Sequence, residues 1–239
     1  MNHGQKPAVE KSTLNPEALI RRFYSSPMTG EEIEFESLRI IDSEAPAHSF
    51  TPEQWQVAQR MIHTTADFAL LESLRFSLDA ITAATQALLK GRTIYVDSNM
   101  IRSGLSLSRL RTVCEDYDPG SIVCHVADDD VAEESRKTGL PRSLFAVRKA
   151  KTVLNGAIAL FGNAPIALLE LNRLVLEEGI RPALVIAMPV GFVHVVESKR
   201  ELMSIGVPYI ALNGRRGGSP LAVSALHALC TIANKHKPE

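Results

Sequence analysis

No two of the three cysteines, Cys114, Cys124 and Cys230, stand in a CxxC spacing, and their number is odd. Neither a disulfide framework nor a zinc site is suggested, and a reducing, cytoplasmic address is expected. No apolar run approaches the roughly 18 residues of a transmembrane helix. The opening MNHGQKPAVEKSTLNPE has no hydrophobic segment of signal-peptide type. Charge of one sign is also missing: the formal net charge is −1, so neither nucleic acid nor a membrane surface is an expected partner. Four motifs are absent: GxGxxG, GxxxxGK[ST], GxSxG and HExxH. Their absence excludes a dinucleotide fingerprint, a P-loop, a nucleophile elbow and a zincin site. No metal or cofactor is expected.

What is present is an ordinary globular composition, with 45% hydrophobic and 22% charged residues. Residues 1–27 are polar, carry Pro7 and Pro16, and read as an extension. Residues 28–239 read as a single α/β domain. From Gly30 to Lys90 the pattern is helical. Thr51 is an N-cap followed by Pro52 and Glu53, and Gly91 is a C-cap. After Gly91 short apolar runs recur at 93–97, 121–126, 157–162, 183–188 and 208–212, each followed by a helical stretch. Nearly continuous apolar strands alternating with helices predict a parallel sheet covered on both faces. The expected fold is a doubly wound, five-stranded, mainly parallel α/β sheet, flavodoxin-like, with a helical N-terminal segment.

Ligands of such folds sit beyond the carboxyl ends of the strands. Three consecutive strand ends run into FGNAP, MPVGF and NGRRGGSP. Glycine lets a backbone approach a ligand closely, and helix N-termini offer N–H groups to anions. Gly162, Asn163, Gly191, Gly217, Gly218 and Ser219, with Lys199, Arg215 and Arg216, therefore become candidate contacts to an anionic small molecule. VADDDVAEESRK (126–137) does not suggest a cation site, because consecutive side chains diverge and acids suit a helix start. His125 and His227 read as structural. His3, His48 and His236 have no partner in sequence.

His63 is different. On a helix advancing about 100° per residue, Val57, Ala58, Met61 and Ile62 form a core stripe. His63 falls nearly opposite, with Gln56, Gln59, Arg60 and Asp67. It is either a solvated surface residue or a group presented to something that covers it. Asp67, four residues on, could meet it on one helical face; a solvated carboxylate is the expectation.

GNAPIALLEL (162–171), MPVGFVHVVESKREL (188–202) and NGRRGGSPLAVSAL (213–226) resemble the precorrin-8X methylmutases of cobalamin biosynthesis. RMIHTTADF resembles that family's active-site histidine segment, and ESLRIIDSE (36–44) and VDSNMIRSGLS (96–106) match in the same order. The resemblance spans roughly residues 28 to 230. His194 departs from it, standing where a small or amide residue is expected. The resemblance implies an isomerase that moves a methyl group from C-11 to C-12 of precorrin-8X or cobalt-precorrin-8, giving hydrogenobyrinate or cobyrinate. It implies His63 as proton donor, a role suited to an imidazole. It also implies Ser37 and Ser106 as substrate contacts, Arg142 and Ser143 as part of a carboxylate-binding surface, and no cofactor. A large flat tetrapyrrole needs more walls than five strand-end loops supply, so a homodimer with its site near the subunit boundary is expected. Two rivals remain: a non-catalytic corrinoid carrier of the same fold, and a nucleotide-binding protein of flavodoxin-like architecture.

Overall fold

The computed structural model describes residues 18–237. Most of the polar extension, with His3, lies outside them. Within them the extension is not wholly irregular, since Ile20–Ser25 forms helix α1. Helix α2 (Gly30–Glu44) starts at a capping box in which Thr29 and Glu32 satisfy each other's backbone N–H. Helix α3 (Pro52–Thr65) repeats the device with Thr51 and Gln54, and Pro52 needs no N–H there. The predicted core stripe is buried as drawn: Val57, Ala58, Met61 and Ile62.

After α3 the helical expectation fails for a dozen residues. Phe68–Glu72 is a 3-10 turn and Leu74–Phe76 is a strand, β1. A three-residue strand is too short to show a period, and this one exists through its antiparallel pairing with distant residues, Leu74 opposite Leu212 and Phe76 opposite Ile210. Helix α4 (Ala80–Leu89) then runs to Gly91, whose φ of +60 fits the predicted C-cap.

The five predicted strands are present as β2 (Ile94–Val96), β3 (Ile122–Val123), β4 (Ile158–Phe161), β5 (Leu184–Ala187) and β6 (Tyr209–Leu212). The sheet therefore has six strands, in the order β1-β6-β5-β4-β2-β3, all parallel except the β1 edge. Without that edge the order is the flavodoxin-like one, with its switch point between β2 and β4.

Helices cover both faces. Alternate strand residues such as Val96, Leu160 and Ile186 join a core with α3, α4, α5 (Asn99–Gly104), α6 (Leu107–Val113) and α12 (Ser219–Lys235). Their neighbours Tyr95, Phe161 and Val185 join a second core under α8 (Arg142–Lys149), α9 (Lys151–Leu154), α10 (Pro165–Glu178) and α11 (Val195–Ser204). Truncating a fully buried Leu160 or Leu229 would cost about 2–5 kcal/mol. Helix α7 (Asp129–Thr138) packs on α8 outside this layer. Its aspartates are engaged locally: Asp128 pairs with His125 and Lys149, and Asp130 with Lys149.

Candidate active site

Helix α2 packs across α3, and the polar face predicted for α3 is what it covers. Gln59 donates to the Leu38 carbonyl at 3.0 Å, and Arg60 forms an ion pair with Glu34, which Arg109 reaches at 3.5 Å. His63 is half-buried, and its Nδ1 lies 2.7 Å from the Ser37 hydroxyl. Ser37, expected to touch substrate, lines the same cavity as His63, and its oxygen also orients the histidine ring. The ring's other nitrogen, Nε2, is left for a neighbour other than Ser37. A cavity of about 410 Å³ opens at this point, lined by Met28, Ile33, Ile40, Ile62, His63 and Phe68. The hollow is mostly apolar, with Glu36, Ser37 and Glu44 also in its lining, and its one oriented imidazole is chemically suited to a flat conjugated ring.

Asp67 stays partly solvated, as expected, and does not pair with His63. It forms an ion pair with Arg216 while its other oxygen accepts from the Ala69 N–H at 2.8 Å. The loop after β6 is thereby tied to the end of the His63 helix. From the other side Lys199 grips the same loop. It is 0% exposed, and its Nζ donates to the Gly214 and Arg216 carbonyls at 3.0 and 2.7 Å. Burial pushes its ammonium down to about 8. Expected as a substrate contact, Lys199 is an internal strut.

The glycine loops also need correction. Asp97, at the end of β2 and 1% exposed, accepts the N–H groups of Gly162, Asn163 and Ala164 at 3.1, 2.9 and 2.8 Å. The backbone donors at the switch point serve the protein's own carboxylate. Burial raises the Asp97 carboxyl, against the lowering effect of those bonds and of Ser98. Asp97 closes the apolar run 93–97, so in sequence it passes for the end of a strand. An acid directly after a buried apolar run, at the carboxyl edge, was the available signal. Gly162 is needed for close packing, since a Cβ there would meet the Ser219 backbone at 2.7 Å. At Gly217 a Cβ would meet the Met188 carbonyl oxygen at 2.2 Å. Gly218, with φ +132, donates its N–H to Met188. Ser219 is buried, 3.2 Å from the Ser98 hydroxyl. These residues lock the three loops together more than they face outward.

Arg215 does face outward, over the Phe192 ring. Gly191 opens that second loop at φ +140, and His194 closes it at φ +60. A left-handed φ is why a small or amide residue suits position 194. Ser106 is the N-cap of α6, bonded to the Arg109 N–H, and its own N–H goes to His227 Nε2. Arg142 and Ser143 open α8; neither lines the His63 cavity. A second cavity, about 390 Å³, lies beyond α3 between Arg60, Thr64, Met100, Ser219 and His227. A larger hollow, about 710 Å³, adjoins β1 and holds His48, whose ring stacks on Trp55 at 4.2 Å. That hollow also carries Glu72 and Arg75, but its imidazole is only stacked, whereas Ser37 orients His63 by a hydrogen bond, so the His63 cavity is the better candidate.

Among the described residues no helix is long and apolar enough to cross a membrane, and no group of three His, Cys, Asp or Glu could hold a metal. Residues 32–232 match the model of a family described as precorrin-8X methylmutase (CbiC). The chain is 41% identical to a cobalt-precorrin-8 methylmutase of Leptospira interrogans, covering 86% of this chain and 95% of that protein. It is 34% identical to a precorrin-8X methylmutase of Pseudomonas aeruginosa, over 84% and 95%. Among solved structures, the precorrin-8X methylmutase of Thermus thermophilus superposes with a TM-score of 0.80 at 44% identity, over 88% of this chain and 99% of that one.

Proposed function

The chain belongs to the precorrin-8X methylmutase family, isomerases of corrin biosynthesis, and we propose that it moves the C-11 methyl group of a precorrin-8 macrocycle to C-12 with His63 as proton donor. The observation that supports this reading is the His63–Ser37 contact at the wall of an apolar cavity. An imidazolium bonded through Nδ1–H to Ser37 keeps Nε2–H for a ring nitrogen. Protonation there draws electron density from the conjugated ring and favours the methyl shift, a general-acid role worth roughly 10²–10⁴-fold. Arg215 supplies positive charge at the carboxyl edge for the acetate and propionate groups. Ser106, Arg142 and Ser143 stay in the proposal through the family resemblance, and Gly191 as a glycine of the strand-end loops.

The working unit in this reading is a homodimer. Helix α1 exposes Ile20, Phe23 and Tyr24, and α2 exposes Ile33, Phe35 and Ile40, of which Ile33 and Ile40 line the His63 cavity; this is an apolar surface that a second copy would cover. A contact of about 1,200–2,000 Å² is expected, and sedimentation as a fully active monomer would refute it.

The test of function is single-turnover conversion of metal-free precorrin-8 and of cobalt-precorrin-8, followed by absorbance. A ring nitrogen bound to cobalt has no lone pair left to take a proton. Dependence on His63 should therefore be stronger for the metal-free ring. Tight binding of both forms without conversion of either would support a carrier instead.

A further inference from the structure

The loop between β5 and α11 exposes three apolar residues, Val190, Phe192 and Val193. Phe192 is 83% and Val193 70% exposed, although both lie between buried Met188 and buried Val195. This is not a fraying end. Met188 donates its N–H to the Phe161 carbonyl at 2.7 Å and accepts from Gly218 at 2.7 Å, while the Gly191 N–H reaches the Arg215 carbonyl at 3.3 Å. Gly191 at φ +140 and His194 at φ +60 bracket Phe192 and Val193 with backbone that L residues rarely adopt. The chain accepts left-handed backbone at His194 and keeps an aromatic ring in the open.

What the ring faces is set by its neighbours. The Arg215 guanidinium carbon stands 5.4 Å over one face of Phe192. Arg216, next in sequence, is ion-paired to Asp67 at the end of the His63 helix. A continuous tie thus runs from Phe192 through Arg215 and Arg216 to α3. A cation stacked on one face of an aromatic ring, with the other face free, fits a flat anion-fringed ligand. The free face takes the π surface and the guanidinium takes a carboxylate at its rim.

Resting on the methylmutase reading, we propose that Phe192 is a substrate-contacting residue, with its ring against the face of the macrocycle and Arg215 beside it on a peripheral carboxylate. The experiment compares the full-length protein with its Phe192→Ala and Phe192→Tyr variants. Absorbance titration with hydrogenobyrinate gives Kd, steady-state conversion gives KM and kcat, and sedimentation and melting are measured alongside. Phe192→Ala should raise Kd and KM by roughly three- to tenfold, the worth of one aromatic contact. Its melting temperature should hold, because the side chain has no core contacts to lose. Phe192→Tyr should restore affinity. Unchanged Kd and KM in Phe192→Ala would overturn the proposal, as would dissociation to monomer at unchanged monomer affinity, which would make Phe192 a subunit contact. Wild-type protein that converts no macrocycle would refute the reading beneath it; an active wild type with an indifferent Phe192 refutes this proposal alone.

Discussion

Ser37 Oγ and His63 Nδ1 lie 2.7 Å apart, joining α2 to α3 across 26 residues of sequence. The bond sets the orientation of the ring, so the two residues should fail differently. His63→Ala should slow methyl migration by roughly 10²–10⁴-fold. Its stability should stay within about 0.5–1 kcal/mol of wild type, since the ring is half-buried and lies off the core stripe. Ser37→Ala removes a hydrogen bond worth about 1 kcal/mol, hence roughly fivefold to tenfold in rate, with the acid still present. Single-turnover absorbance separates the two. Equal and near-normal rates in both variants would return His63 to an ordinary surface role.

Asp97 holds three backbone N–H groups at the switch point. Asp97→Asn keeps the shape but turns an amide NH₂ toward donors. The expected loss is about 2 kcal/mol of unfolding free energy, within the range for bonds to a charged group. Denaturant melts check it; a midpoint equal to wild type would mean that the loop holds itself.

His227 gives the protein an acid-sensitive element. Burial first, then the charges of Arg109 and Arg60, push its imidazole down to about 4 from the ordinary 6.5, with Glu34 partly opposing. A depressed folded-state value means that the unfolded chain binds the extra proton first. The stabilising contribution is complete above about pH 6.5, falls as pH drops toward about 4, and is lost below that, about 3 kcal/mol in all. His227→Gln keeps an acceptor for the Ser106 N–H. It should flatten the stability profile between those pH values, and an unchanged profile would assign the acid limb elsewhere.

Gly217 separates packing from recognition. With a Cβ 2.2 Å from the Met188 carbonyl oxygen, Gly217→Val must move backbone. Folding should weaken by about 2 kcal/mol or more, with binding lost as a consequence. Gly214, which has open space around its Cβ position and φ +90, should respond only through backbone strain. A Gly217→Val protein that melts like wild type but binds no corrinoid would restore the simple reading of a substrate-facing glycine.

Much of this molecule was determined by local sequence. The five apolar runs, the Thr51 cap, the Gly91 stop and the buried stripe of α3 each follow from short-range pattern and propensity, which a chain carries wherever it folds. The singular place of His63 on that helix was legible for the same reason. Tertiary structure alone decided what the polar groups do. Strand β1 needs β6 to exist, and Asp67 found Arg216 across 149 residues instead of His63 on its own helix. Lys199 turned inward to carbonyls, and Asp97 occupied the N–H groups that sequence reserved for a ligand. The physical reason is common to all four. Which partner a backbone or polar group meets is fixed by packing between distant segments, not by spacing along the chain, and for buried Lys199 and Asp97 finding one is obligatory.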